Sequence, residues 1–190
     1  MLENGLHCGN SQFKALNWVS IGNAELTDKR ATHFVPIAPG GSLNDYVPFY
    51  FTPFSVMMRN IHTGWGGIRQ RSNDEIVILV SSLRHASQQG LPFVFTDSHA
   101  YYQWANFYDD LTHLNKIDWG ILQRRDFKRD QEDPVKFERY QAEALIHQVC
   151  PVAGLLGIVC YTELVKMSIE VHVNELKLNL PVYARTNWYF

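Results

Sequence analysis

"ERYQAEALIHQ", Glu138–Gln148, sets an acid, Glu143, among alanines, a leucine and an isoleucine. Read as a helix, Tyr140, Ala144 and Ile146 make no clean face. Read as a strand, Tyr140, Ala142, Ala144 and Ile146 fall on one side, and Gln141, Glu143 and Leu145 on the other. The strand gives the better division. It collects an amide and a carboxylate on a single face, about 7 Å apart along the chain. An unpaired carboxylate is costly to bury, or takes up a proton instead. Glu143 therefore either lies on an exposed face or is kept for chemistry. In the second case it can accept a sugar hydroxyl and stabilise positive charge on a sugar, while Gln141 orients a neighbour. A solvated strand face is the plain alternative, and the residues alone leave both open.

Working outward, the neighbouring segments read mostly as strands. "DYVPFYF" (45–51) is a strand that Pro48 confines to an edge. "DEIVILVSS" (74–82), "PFVFT" (92–96), "LLGIVCYT" (155–162) and "PVYARTNWYF" (181–190) supply four more. "SVMMRNIH" (55–62) and "ELVKMSIEVHVNELKL" (163–178) are helix-like. "TDSHAYYQWANFY" (96–108) is expected to start a helix with Asp97 or Ser98 as N-cap. "LENGLHCGN" (2–10) looks like a helix end stopped at Gly5. Ser11 to Leu43 reads as a long, partly ordered loop, and 109–133 as polar and loop-rich. Strands outnumber helices without βαβ alternation, so the expected class is α+β, in a single domain over 1–190.

Composition narrows the function classes. The 190 residues are 46% apolar and 19% charged with net charge −2, values of a folded globular chain without a global pull on polyanions. Any nucleic-acid partner must be held by a local basic patch. Three scattered cysteines without CxxC spacing suit free thiols in a reducing compartment, and no metal is expected. No apolar run reaches the ~18 residues of a membrane span, and no signal peptide opens the chain. The expectation is a cytoplasmic protein without membrane association, and a monomer by default. The 5 Trp, 9 Tyr and 11 Phe serve core packing or base stacking, which composition does not separate.

No Walker loop, GxGxxG, HExxH or GxSxG is present. A His-Asp-Ser triad can be assembled only by free choice among 8 His. What remains is sparser. His99, at the expected helix start, would be kept neutral by the macrodipole, or be a plain exposed histidine. Arg30 sits in the irregular loop. Arg124, Arg125, Lys128 and Arg129 form a basic cluster that Asp126 and Asp130 dilute, either a phosphate track or a solvated loop.

Taken together, "NGLHCGN", "KRATH…PGGSLNDYVPFYFTPFSVMM", "GLPFVFTDSHAYY", "RYQAEALI" and the C-terminal "WYF" resemble the DarT family. These are toxin ADP-ribosyltransferases of toxin–antitoxin pairs that modify thymidine in single-stranded DNA. The resemblance spans nearly the whole chain. It implies an ADP-ribosyltransferase-like fold, NAD as co-substrate, and a DarG-like macrodomain antitoxin as partner. The family's catalytic glutamate falls on Glu143, and its second catalytic residue, an arginine, on Arg30. Gln141 takes the position two before the glutamate. Arg30, Gln141 and Cys8 are the implied cofactor contacts. His99, Tyr50, Met57, Arg124, Arg125, Lys128 and Arg129 are the implied DNA contacts. The loop from about Thr96 to Glu143 would recognise the substrate. The family's N-terminal strand, with a His-x-Thr segment that grips nicotinamide and ribose, has no counterpart in this sequence. The resemblance therefore implies an N-terminally shortened domain. Its alternative is a catalytically impaired single-stranded-DNA-binding remnant of the same fold.

Overall fold

The computed structural model describes residues 1–13, 19 and 21–190. In chain order its strands are β1 (Leu6–His7), β2 (Tyr46–Tyr50), β3 (Ile78–Val80), β4 (Phe93–Thr96), β5 (Phe107–Tyr108), β6 (Glu143–His147), β7 (Val149–Cys150), β8 (Gly157–Cys160) and β9 (Val182–Ala184). The α-helices are α1 (Ala24–Ala31), α2 (Val56–Thr63), α3 (Leu83–Gln88), α4 (Trp119–Arg124), α5 (Lys136–Arg139) and α6 (Glu163–Glu175). The class is α+β, as expected.

Strand β6 is the spine of a four-stranded antiparallel sheet ordered β2-β6-β4-β5. Pro48 lies on β2 at the sheet edge, where a missing N–H costs no ladder bond. A second sheet, β3-β8-β9, pairs β8 antiparallel with β3 and parallel with β9. Strands β1 and β7 form a short antiparallel pair. The alternation read from "EALIH" holds within β6. Ala144 and Ile146 join the principal core with Val47, Phe95 and Ile158, and Leu145 enters a second cluster with Leu43, Tyr46 and Val94. Both faces of β6 are covered, so neither is solvated.

Four expectations need correction. The N-terminal segment is not a helix end: Gly5, at φ +75°, turns the chain into β1. A Cβ at Gly5 would sit 2.6 Å from the Cys150 carbonyl oxygen, so this close approach admits only glycine. The Ser11–Leu43 loop contains α1, whose Asn23 cap accepts the Leu26 N–H at 3.1 Å. No residue of α1 is buried, so it leaves no apolar periodicity to read. The remainder of that segment, 14–18 and 20, lies outside the described residues.

The third correction concerns 97–106, which is a series of turns rather than a helix. Asp97 competes with helix formation by binding across the loop. It accepts the Asn106 N–H at 3.1 Å, Asn106 Nδ2 at 2.8 Å and the Tyr108 hydroxyl at 3.3 Å. The fourth concerns Gln141, which falls in the turn between α5 and β6. Its Nε2 donates to the Phe137 carbonyl at 3.2 Å, and it does not share a strand face with Glu143.

Candidate active site

Glu143 opens β6 and is 1% exposed, so burial alone drives its carboxyl toward the protonated form. Three other influences oppose burial and prevail. The Arg30 guanidinium acts through space, Arg30 Nη1 donates to Oε2 at 2.8 Å, and the Ala100 N–H donates to Oε1 at 3.1 Å. Together they hold the Glu143 carboxyl below the ordinary glutamate value. It is a fully buried, ionised acid at neutral pH. Two donors meet about four lone-pair sites, so the carboxylate retains capacity to accept a further hydroxyl.

The loop after β4 is folded to present that N–H. Thr96 Oγ1 accepts the Glu143 N–H at 3.2 Å and donates to the Ser98 carbonyl at 2.6 Å, tying β6 to the turn. The His99 N–H donates to the Glu138 carbonyl at 3.0 Å. His99 thereby packs with Nδ1 3.2 Å from Glu143 Oε1, and the same nitrogen accepts the Tyr101 N–H at 3.3 Å. Burial lowers the His99 pKa first of all; Glu143 raises it and Arg30 lowers it further. The ring is neutral at pH 7, as expected, but burial keeps it so rather than a helix dipole.

Arg30 arrives from the last turn of α1, 113 residues before Glu143 in sequence. Its side chain is 12% exposed, and Nη2 is buried with no acceptor among the described residues. Such an orphan donor carries a desolvation penalty unless a ligand oxygen meets it. A dinucleotide's phosphate or ribose oxygen fits that requirement. Tyr50 lies across the ladder from Glu143 in register. Burial and then Glu143 push its phenol well above the usual range, against Arg30, so it stays a proton donor.

The other expected contacts scatter. Met57 is 38% exposed on the first turn of α2. Cys8 is buried in the principal core. Arg124, Arg125, Lys128 and Arg129 are all exposed. Arg125 stands 3.4 Å above the Phe54 ring and Arg129 4.6 Å above that of Phe137. Asp126 and Asp130 dilute this cluster less than the sequence suggests, because both accept from Lys136 Nζ, at 3.1 and 3.2 Å. Arg139 likewise takes Asp133, through two bonds of 2.9 and 2.7 Å, and Asp118. Asp118, Asp126, Asp130 and Asp133 thus pair with Lys136 and Arg139 of α5.

Two participants escape sequence reading. The Ala100 N–H has no side-chain signature. Glu138, 7% exposed, keeps Oε2 without a partner among the described residues and approaches Arg129 at 3.8 Å. No group of three or more potential metal ligands occurs among the described residues.

Comparison with known proteins decides what this assembly belongs to. The family model "ssDNA thymidine ADP-ribosyltransferase, DarT" matches residues 1–190. The chain belongs to the DarT family. It is 60% identical over 190 residues to a DNA ADP-ribosyl transferase of Escherichia coli O127:H6, covering all of this chain and 87% of the relative. It is 35% identical over 173 residues to a DNA ADP-ribosyl transferase of Thermus sp., covering 90% of this chain and 81% of the relative. Its fold matches Thermus sp. 2.9 DarT in complex with ADP-ribosylated ssDNA at TM-score 0.89 and 32% identity, over 99% of this chain and 88% of that one. The same DarT in complex with NAD+ matches at TM-score 0.83 and 31% identity, over 99% and 89%. Nothing in the assembled Glu143–Arg30–His99 constellation indicates the catalytic impairment that a remnant would carry.

Proposed function

We infer that the chain transfers ADP-ribose from NAD to thymidine in single-stranded DNA, with Glu143 and Arg30 as its catalytic pair. The observation that carries the residue assignment is the ionised Glu143 carboxylate at full burial, paired with Arg30. Burying a charge without pairing is costly, and a core residue would serve stability better, so the site is built for chemistry. NAD supplies the ADP-ribosyl group and nicotinamide as the leaving group.

The remaining roles belong to this chain. Glu143 accepts a ribose hydroxyl on its free lone pairs and stabilises positive charge developing at the reacting sugar carbon. Ala100 and Arg30 fix both carboxylate oxygens beforehand, so little reorganisation is needed as charge appears. Arg30 Nη2 meets a phosphate or ribose oxygen of the dinucleotide. Its positive charge also favours loss of the thymine N3 proton. An arginine pKa above ~12 makes it a poor general base, so the proton passes to Glu143 or water. Tyr50 and His99, beside Glu143, line the acceptor side with Met57, while Gln141 and Cys8 border the cofactor. Arg124, Arg125, Lys128 and Arg129 offer charge to the strand's phosphates.

We further propose the cytoplasm as the place of action, a monomer as the acting form, and a macrodomain antitoxin as partner. Incubation with NAD and a thymidine-containing single strand, followed by mass analysis, tests the reading. An ADP-ribose adduct is expected on that strand and not on one lacking thymidine. A strand that is bound but unmodified would overturn it.

A further inference from the structure

A line of rings leads from the catalytic carboxylate to the surface. His99, against Glu143, meets Tyr102 edge-on with ring centroids 5.5 Å apart. Tyr102 then stacks on Trp104, with centroids 4.7 Å apart and planes 13° from parallel. Trp104 is 58% exposed. A large indole that buries one face on a phenol and leaves the rest to water gains little for the fold, since an apolar ring is better placed in the core. Ala100, whose N–H holds Glu143, lies in the same turns as Trp104, so four Cα–Cα steps separate the carboxylate's donor from the residue that carries the exposed ring. At ~3.5 Å per residue that is at most about 14 Å of chain. Asp97, bound across to Asn106, closes the turn at its base.

We propose that Trp104, backed by Tyr102, is a stacking platform for a nucleobase next to the acceptor thymidine in the single strand. Single strands expose the faces of their bases, and an aromatic ring stacks on any of them, so such a platform grips the strand without reading its sequence. The Tyr102 ring beneath holds Trp104 at a fixed tilt, so a stacked base sets the strand's register against Glu143. The proposal rests on the transferase reading, and the test keeps the two apart.

Steady-state initial rates of transfer are measured with wild type, Trp104→Ala and Trp104→Phe, on a short single strand with one thymidine. A second set of strands carries one abasic nucleotide at each neighbouring position. Loss of a stacked base is expected to raise the KM for the strand by about 5- to 100-fold in Trp104→Ala, with the KM for NAD unmoved and Trp104→Phe restoring most of the loss. The abasic site on the platform should weaken wild type and add nothing further to the Trp104→Ala defect. A KM for the strand within twofold of wild type, or a defect in NAD use instead, would overturn the platform while leaving the transferase intact. Absence of transfer in wild type would overturn the underlying reading.

Discussion

Glu143 on β6 and Ile158 on β8 are both strand residues with 1% of their surface exposed, and they do opposite things. Around Ile158 the β3-β8-β9 sheet is apolar, with Val159, Cys160 and Val182 buried beside it. The β2-β6-β4-β5 side buries Thr96, Ser98, His99, Glu138, Gln141 and Glu143 close together. The first region is what hydrophobic burial builds by itself. The second holds polar groups that the hydrophobic effect would exclude, and its central carboxylate is kept by donors from distant elements, Arg30 on α1 and the Ala100 N–H. Equal burial therefore conceals unequal purpose, and only the partners tell the two regions apart.

The contrast can be broken first at Arg30. Arg30→Ala should lower transfer about 10²–10³-fold, because Glu143 loses its principal counter-charge. With that opponent gone, burial raises the Glu143 pKa, so the acid limb of the transfer–pH profile should move to higher pH. An unshifted limb would mean that Arg30 does not set the charge of Glu143. Ile158→Ala probes the other region. It should cost about 2–5 kcal/mol in denaturant unfolding while transfer per folded molecule stays at the wild-type level. Comparable loss of transfer would show that the two sheets are not separate in function.

The smallest expected effect concerns His99. Its folded pKa lies below the ordinary histidine value, so the unfolded chain takes a proton near pH ~6.5 that the folded ring refuses. Stability from this group is present above that pH and lost as pH falls toward the depressed folded value. His99→Gln should flatten the decline in thermal midpoint between pH 7 and 5 without removing it, because His33 is shifted in the same direction. An unaltered slope would mean that His99 does not carry the proton linkage.

The legibility of the chain follows the same division. Strands β2, β4, β6 and β8, and helices α2 and α6, are readable because burial leaves apolar runs or an apolar face in their residues. Helix α1 is not, since it buries nothing and is held by its Asn23 cap and by Arg30 reaching Glu143. The 97–106 turns looked like a capped helix because Asp97 has the residue type of a cap, whereas its partners are Asn106 and Tyr108. Glu143 stands out by its place among apolar residues, but the same pattern fits a solvated strand face. The pairing that makes burial tolerable comes from Arg30 and Ala100, which no local pattern announces. The basic cluster was visible as charge. Asp126 and Asp130 are drawn partly away from it by Lys136, which only the folded chain brings within reach.

The central claim is that Glu143 is charged while fully buried. Infrared difference spectroscopy between wild type and Glu143→Gln at pH 6 reads that state directly. The account predicts that wild type contributes a carboxylate stretch missing from the variant, with no protonated-carboxyl band. A protonated-carboxyl carbonyl band from Glu143 at that pH would contradict it.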